Sequence, residues 1–157
     1  MKLTRQSSYA IRALIYCAVN EPKLSRVADI AKAYGISELF LFKIIKPLVE
    51  NGLIETVRGR HGGIRLGRPA NEISLLDTVR LTEESFALAE CFEDGGDLNC
   101  PLSSACDLSS ALNEALQAFF AVLDSYTIAD LADKRRSVRE RLGLFELDLP
   151  PVPAIIN

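Results

Sequence analysis

The N-terminal part of the chain carries apolar residues three and four positions apart, which is the period of an amphipathic helix. The first such segment runs from Leu3 to Asn20, with Thr4 placed to cap its start and Pro22 just beyond its end. This pattern predicts a first helix. Cys17 falls among its apolar positions and is expected to be a small core residue rather than a ligand.

Two shorter helices are predicted next. Ser25 and Gly35 are expected to cap and close the first of them, and the second begins near Glu38. The spacing of Ala31, Gly35 and Leu41 is typical of a helix-turn-helix, with a small residue at the helix contact, a glycine in the turn and an apolar anchor. Glycine-linked helix pairs also occur in other folds, so this motif alone leaves both interpretations open.

The second helix of this pair has two distinct faces. Its apolar stripe, expected to face the core, consists of Phe40, Leu41, Ile44, Ile45 and Leu48. The opposite face carries Leu39, Phe42, Lys43 and Lys46. Such a mixture suits a recognition helix, because lysines contact phosphates or guanine while apolar groups contact thymine methyls, and Ser37 and Glu38 at its start join it as candidate DNA contacts. The alternative is that Leu39 and Phe42 pack against another helix; Pro47 should kink or end the helix.

Residues 53–58 and 63–66 read as two short strands joined by a turn at residues 59–62, hence a β-hairpin. A hairpin directly after a helix-turn-helix is the wing of a winged helix. We expect its basic residues to lie near DNA phosphates or in a narrow minor groove; they are Arg58, Arg60, His61, Arg65 and Arg68.

Two helices are predicted in the C-terminal half. The first is short and begins at residues 74–77, where Ser74 and Asp77 resemble a capping box; the second is long and is capped by Asp107. The long helix has a wide apolar stripe made of Leu108, Leu112, Ala115, Leu116, Phe119, Phe120, Leu123 and Tyr126. This stripe is expected to be buried against a second copy of the chain; the alternative is that it folds back on its own domain. At residues 127–131 we expect the helix to continue after a new N-terminal cap. Residues 134–141 are expected to form a charged, solvated segment, and residues 149–153 a loosely packed tail.

Charge divides sharply along the chain. Residues 1–70 hold twelve Lys/Arg against five Asp/Glu, a net of +7, whereas residues 71–157 hold six against sixteen, a net of −10. A basic N-terminal half on an acidic protein favours binding of a polyanion. Neither a membrane span nor a signal peptide is indicated, so a cytoplasmic location is expected. With no nucleophile–base pair, no phosphate loop and one histidine, an enzyme is not expected.

Three cysteines, Cys91, Cys100 and Cys106, lie in one acidic, glycine-containing stretch with the spacing C-x8-C-x5-C. This spacing lacks the C-x2-C pair of zinc ribbons, and the single histidine lies on the wing, so structural zinc is disfavoured. Three thiolates fit a cubane iron–sulfur cluster, which can leave one iron to a weaker ligand; a 4Fe–4S cluster is favoured, with 2Fe–2S as the second choice. Acidic surroundings without Lys or Arg predict a labile cluster, suited to a sensor.

Motifs spread over residues 1–132 resemble the Rrf-type family of winged-helix iron–sulfur repressors. They are the opening MKLT, the pair Tyr9-Ala10, the wing sequence VRGRHGGIRL at 57–66, the three-cysteine loop, and YTIADL at 126–131. Within the family the chain is most similar to the iron-responsive RirA-type regulators, in SELFLFKI at 37–44, PL at 47–48, AECF at 89–92 and the wide first cysteine gap.

The resemblance implies a homodimeric repressor of iron-uptake genes that binds a double-stranded DNA operator with its cluster in place and releases it when the cluster is lost. IscR-like members have a histidine ligand where this chain has Ser109, and NsrR-like members an aspartate where it has Ser8. The fourth ligand is therefore expected to be open or solvent, although Glu93 or Asp97 could also lie near the cluster. Alternatives are a nitric-oxide or redox sensor of the same family, or a cluster-free regulator with a thiol switch.

The expected fold is mainly α with a small β-hairpin wing, a winged helix-turn-helix followed by a long C-terminal dimerisation helix. We expect four segments. They are a DNA-binding domain at 1–82, a cysteine cluster-binding loop at 83–107, a dimerisation helix at 108–132, and a charged, proline-containing tail at 133–157.

Overall fold

The computed structural model describes residues 2–92, 100–101, 106–133 and 135–144. In that part the chain forms seven α-helices and one two-stranded antiparallel hairpin, so the expected mainly helical fold with a small wing is confirmed. The helices are α1 Arg5–Asn20, α2 Val27–Tyr34, α3 Glu38–Glu50, α4 Leu75–Thr82, α5 Asp107–Ser125, α6 Ile128–Ala132 and α7 Arg135–Arg141. Strands β1 Ile54–Val57 and β2 Gly63–Leu66 form the wing, and short 3-10 turns occur at Ala70–Glu72 and Glu90–Phe92.

Helix α1 is the centre of the fold, because α3, α4, α6, α7 and the wing strand β2 all pack on it. Thr4 caps its start as predicted, accepting a hydrogen bond from the Ser7 amide. Leu14 is completely buried, and Cys17, at 1% exposure, is the core residue that its position predicted. Each fully buried Leu or Ile of this core contributes about 1.5–3 kcal/mol by leaving water.

The helix-turn-helix geometry is confirmed. Gly35 ends α2 with a φ of 64°, a left-handed conformation that glycine adopts without a steric penalty. Ala31 and Leu41, exposed by 2% and 0%, lie in the core on either side of that turn. The predicted start of α2 was wrong, because the N-cap position belongs to Arg26 and has no side-chain capping bond. Ser25 instead forms an antiparallel bridge to Ile64 of the wing.

The core stripe of α3 is confirmed: Leu41, Ile44, Ile45 and Leu48 are buried, and Phe40 is partly buried against them. Pro47 does not end this helix, which continues to Glu50. Proline lacks one amide donor, but its carbonyl still accepts from the Asn51 amide and side chain, so the last turn remains closed.

The wing pairs Glu55 with Arg65 and Thr56 with Ile64, which confirms the β-hairpin predicted from residues 53–66. It is also joined to the rest of the domain through Ser25. A side chain at Gly63 would place its Cβ 2.7 Å from the Ser25 carbonyl oxygen, so this glycine is required for the wing to approach α2.

Helices α4 and α6 begin side by side. Ser74 and Asp77 form the predicted capping box at the start of α4, and Thr127 and Asp130 form a second one at the start of α6. The two starts are joined by an antiparallel bridge between Ser74 and Thr127, which brings the end of α5 back to the core.

The segment predicted to be charged and solvated is instead partly packed. Residues Arg135–Arg141 form α7, which packs against α1, and the Arg139 guanidinium donates to the Val19 carbonyl oxygen over 2.8 Å. Leu142 and Leu144 add to the edge of the core. The tail at 149–153 lies outside the described residues. No helix among the described residues has the length and apolar character needed to cross a membrane.

Candidate nucleic-acid interface and metal centre

The outer face of α3 is open. Leu39 is 71% and Phe42 53% exposed, so neither packs against another helix of the described chain, and Lys43 beside them is exposed too. Lys46 forms a 3.8 Å ion pair with Glu50 one turn later. Such exposed pairs are weak, so this ammonium group remains available to a phosphate. The face therefore presents two large apolar groups and two cations, as the sequence predicted.

The start of α3 is fixed by its own cap. The Ser37 hydroxyl accepts a 3.2 Å hydrogen bond from the Phe40 amide, which orients the first turn, and both Ser37 and Glu38 remain exposed. Side chains in the first turn of a recognition helix are the ones that reach base edges.

The wing separates into an unpaired tip and a paired stem. Arg58, Arg60 and His61 are exposed at the tip and form no ion pair with any described residue. On the stem, Arg65 contacts Glu55 at 2.9 Å, and its hydrogen bond and charge lower the pKa of that carboxyl group. Three of the five predicted wing contacts therefore lie at the tip, and Arg65 lies on the stem behind them.

Arg68 follows the wing and is paired with a residue of α4. Its guanidinium lies 2.8 Å from the carboxylate of Asp77, the residue that completes the capping box of α4. The Arg68 Nε atom is buried without a partner among the described residues. The proximity of Arg68 to DNA stays a prediction, and its charge is paired with a local carboxylate.

Two further cations lie on α1 beside α3, and the sequence reasoning did not single them out. Arg5 stacks over Tyr9 and Phe40, and Arg12 stacks over Tyr9 and Tyr34. Tyr9 follows Arg5 by four positions, and Arg12 follows Tyr9 by three. This spacing places the three side chains on one face of a helix, so the sequence could have indicated the cluster.

The cysteines are of two kinds. Cys17 is buried, and burial raises its pKa to about 12, with a hydrogen bond to Ser25 opposing the rise, so its thiol is inert near neutral pH. Cys91 is exposed, Cys100 and Cys106 are half-exposed, and all three are free thiols. These three have the accessibility that a thiolate ligand requires.

Cys106 takes the capping position that the sequence assigned to Asp107. Its Sγ atom accepts a 3.3 Å hydrogen bond from the Ser109 amide at the start of the 19-residue helix α5. The chain thus holds this sulfur at a defined position.

As a donor set, three free and accessible thiols fit an iron–sulfur cluster better than an oxygen-preferring cation. Within the described residues, no three His, Cys, Asp or Glu side chains lie together as a metal site. Glu93 and Asp97, considered as additional ligands, lie outside the described residues.

The start of the cysteine segment is tied to α1 by Glu83, the residue that ends α4. Its carboxylate accepts hydrogen bonds from the Thr4 amide at 2.7 Å, the Thr4 hydroxyl at 3.0 Å and the Ser7 hydroxyl. Ser7 is fully buried and also pairs with the Thr82 hydroxyl at 2.7 Å. The segment therefore begins from a fixed point on the first helix.

Solved structures with this fold include Staphylococcus aureus CymR in its oxidized form, with 29% identity over 85% of this chain and 97% of that one and a TM-score of 0.66. T. potens IscR matches with 25% identity over 88% and 91% of the two chains and a TM-score of 0.69.

Sequence relatives cover nearly the whole chain. Protein aau3 of Rhizobium meliloti is 57% identical over 98% of this chain and 99% of its own, and the HTH-type transcriptional regulator NsrR of Bacillus subtilis is 43% identical over 93% and 100%. The family model Rrf2, described as iron-dependent transcriptional regulator, matches residues 3–134. The chain therefore belongs to the Rrf2 family of winged-helix DNA-binding transcriptional regulators, which are not enzymes.

Proposed function

We propose that this protein is an iron–sulfur-cluster-dependent transcriptional repressor that responds to iron, and that loss of the cluster relieves repression. The observation that carries the proposal is the contrast among its cysteines. Three free, accessible thiols follow the winged helix in sequence, while the fourth is buried in the core.

Cys91, Cys100 and Cys106 would hold the cluster, with 4Fe–4S preferred because three thiolates leave one iron for solvent or a weaker ligand. The cluster would make the protein responsive to iron, because it can be present only when iron is available. The Ser109 amide holds the Cys106 sulfur at the start of α5, so one ligand and the orientation of that helix are linked. The side chains at positions 8 and 109 are serines, which supply neither the aspartate nor the histidine of other members.

The DNA contacts would come from α3 and the wing tip. Ser37, Glu38, Leu39, Phe42, Lys43 and Lys46 face the major groove in this proposal, and Arg58, Arg60, His61 and Arg65 contact phosphates or the minor groove. The exposure of Leu39 and Phe42, unusual for side chains of this size, supports the assignment.

We further propose that residues 1–82 bind DNA, 83–107 bind the cluster and 108–132 form a homodimer in the cytoplasm. None of the residues of α5 is buried within the described chain, and Leu108, Val122 and Tyr126 are more than half exposed. A second copy covering this face would pair two recognition helices on a twofold operator.

The test is anaerobic reconstitution with iron and sulfide, followed by native mass spectrometry and binding to an operator duplex selected from a random pool. We expect the wild type to carry a cluster and to bind the duplex more tightly with it than without it. Cys91→Ala should lose the cluster while remaining folded, because its side chain is exposed.

Cys17→Ala is the matched control, since it removes a thiol that lies in the core and should retain the full iron and sulfide count. A wild-type protein that takes up no iron contradicts the proposal. Removing iron with a chelator should release the duplex; release by nitric oxide with no response to the chelator would instead favour the nitric-oxide sensor, the role ascribed to NsrR-type relatives.

A thiol switch without a cluster is the second candidate. It is favoured by the accessibility of the same three thiols and by the likeness to a CymR structure described as oxidized. Under this alternative, iron is absent, and mild oxidation followed by mass spectrometry detects a disulfide among Cys91, Cys100 and Cys106 together with a change in DNA affinity.

A further inference from the structure

We propose that Arg5 and Arg12 on α1 form a second phosphate-binding element, which contacts the DNA backbone next to the recognition helix. The proposal extends the DNA interface beyond the helix-turn-helix and the wing. It rests on the DNA binding assigned to α3, because the two arginines are placed relative to that helix.

Arg5 is held against the start of α3. Its guanidinium carbon lies 5.7 Å from the centre of the Phe40 ring and 5.8 Å from that of Tyr9, and the two rings meet edge to face at 5.9 Å. Arg5 also lines an open cleft with Gly35, Ile36, Ser37 and Phe40. A cation is therefore fixed beside the turn and the cap that introduce the recognition helix.

Arg12 continues the same stripe. It follows Arg5 by seven residues, which is two helical turns, and its guanidinium carbon lies 5.1 Å from the Tyr9 ring centre and 5.8 Å from that of Tyr34. The Tyr34 hydroxyl donates a 3.1 Å hydrogen bond to the Arg12 carbonyl oxygen, which fastens the end of α2 to this part of α1. Both cations thus flank the helix-turn-helix.

The charge of both arginines is available. Both side chains are exposed, and among the described residues neither forms an ion pair with a carboxylate, unlike Lys46, Arg65 and Arg68. A guanidinium group that lies over an aromatic ring has no acceptor there for its N–H groups, which can therefore bind phosphate oxygens in pairs. Aromatic packing also reduces the side-chain freedom that is lost on binding.

Phosphate suits this position better than base edges do. The outer side chains of α3 are the ones that can enter the major groove, whereas α1 packs against that helix, so its cations are expected to meet the strands that border the groove. The competing occupant is the acidic C-terminal half of a second copy, which carries a net charge of −10.

The experiment uses full-length protein, purified without oxygen, and fluorescence anisotropy on two duplexes, the selected operator and a scrambled sequence. The variants are Arg5→Gln, Arg12→Gln and the double variant. The matched control is Arg80→Gln, because Arg80 also stacks on an aromatic ring, Phe120 at 5.4 Å, but lies on α4.

Each single variant should weaken binding about threefold to tenfold on both duplexes and reduce the salt slope of log K by about 2, since each of the two copies in the proposed dimer loses one phosphate contact. The double variant should reduce the slope by about 4, and Arg80→Gln should match the wild type. Arg5→Lys, which keeps the charge, should retain most of the slope and shows that the change is not a folding defect.

Slopes equal to that of the wild type in both glutamine variants overturn the inference. So does conversion of these variants to monomers in sedimentation velocity, which would assign the arginines to a contact between copies. A wild type that fails to bind either duplex contradicts the DNA-binding assignment itself, whereas wild-type binding with unaltered variants rejects this inference alone.

Discussion

Single residues of one type have very different chemistry in this protein, as the cysteines show. Cys17 lies in the core beside Ser25, and burial raises the pKa of its thiol from 9.0 to about 12. Cys106 lies at a helix start, where an amide donates to its sulfur. Position in the fold therefore determines which thiols can act as ligands, and all three accessible ones belong to the segment after the winged helix.

The raised pKa of Cys17 makes stability sensitive to alkaline pH. The folded state keeps the thiol protonated up to about pH 12, whereas the unfolded chain releases the proton near 9.0, so this contribution is complete below pH 9 and is lost as the pH rises toward 12. Between pH 8 and 10.5 the wild type should lose about 2 kcal/mol more unfolding free energy than Cys17→Ala.

Urea unfolding of both proteins at a series of pH values, monitored by circular dichroism, measures this difference. The cluster-free forms are compared, so that metal binding does not contribute. Parallel pH profiles for the two proteins would show that Cys17 ionises equally in the folded and unfolded states.

Local signals at single residues were predictable where they depend only on neighbours in the chain. Thr4 and Ser74 cap helices as expected, because the hydroxyl and the amides it accepts from are three residues apart. Ser25 and Asp107 were misassigned as caps because the competing partners are distant or unusual. The Ser25 backbone bonds to the wing, and a thiol rather than a carboxylate caps α5.

At the scale of elements, the starts of α4 and α6 form one connected unit. The Leu75 amide donates to the Tyr126 carbonyl oxygen and the Ile128 amide to the Ile73 carbonyl oxygen, both at 2.9 Å. Hydrogen bonds from Thr127 lower the pKa of Asp130. The carboxylate of the second capping box therefore stays ionised to a lower pH than an ordinary aspartate does. This unit fixes the end of the long helix α5.

Thr127→Val should weaken that unit. The valine keeps the shape of threonine but removes the hydroxyl, which accepts from the Asp130 amide and donates to its carboxylate over 2.7 Å. We expect a loss of about 1 kcal/mol of unfolding free energy. Chemical denaturation measures it, with Thr56→Val, an exposed wing position, as the control that should change little; equal effects of both substitutions would contradict this role.

Helix α7 was not predicted from the sequence. Lys and Arg dominate residues 134–141, and their composition alone indicated solvation. The structure forms a helix there because Arg139 finds the Val19 carbonyl oxygen at the end of α1, 120 residues earlier in the chain. The winged helix follows from local periodicity, whereas such a long-range docking contact leaves no local pattern in the sequence.

At the scale of the whole molecule, the basic and acidic halves correspond to the different roles that we propose for them. The basic half contains α1 to α3 and the wing, and the acidic half contains the thiols and α5. An acidic surface away from the DNA repels the polyanion and so favours one orientation of binding. The proposed dimer places this acidic half at the centre.

The dimer proposal predicts that Leu108→Lys raises the dissociation constant of the dimer, because a charge would replace an apolar side chain that is 66% exposed in the single chain and is covered in the proposed dimer. Sedimentation velocity over a concentration series measures the effect. Leu39→Lys is the matched control, since Leu39 is equally exposed but lies on α3 and should leave the dimer intact. Unchanged sedimentation of Leu108→Lys would contradict the proposed interface.

Helix α5 has one end at a thiol and the other fixed in the core, which gives it the mechanics of a lever. Its 19 residues span about 28 Å, with Cys106 at its start and Ile128, completely buried, just past the opposite end, which acts as the pivot. With an arm of this length, a displacement of about 5 Å at the sulfur corresponds to a tilt of only about 10°. A small rotation of α5 about its fixed end would therefore produce a large displacement of the Cys106 sulfur.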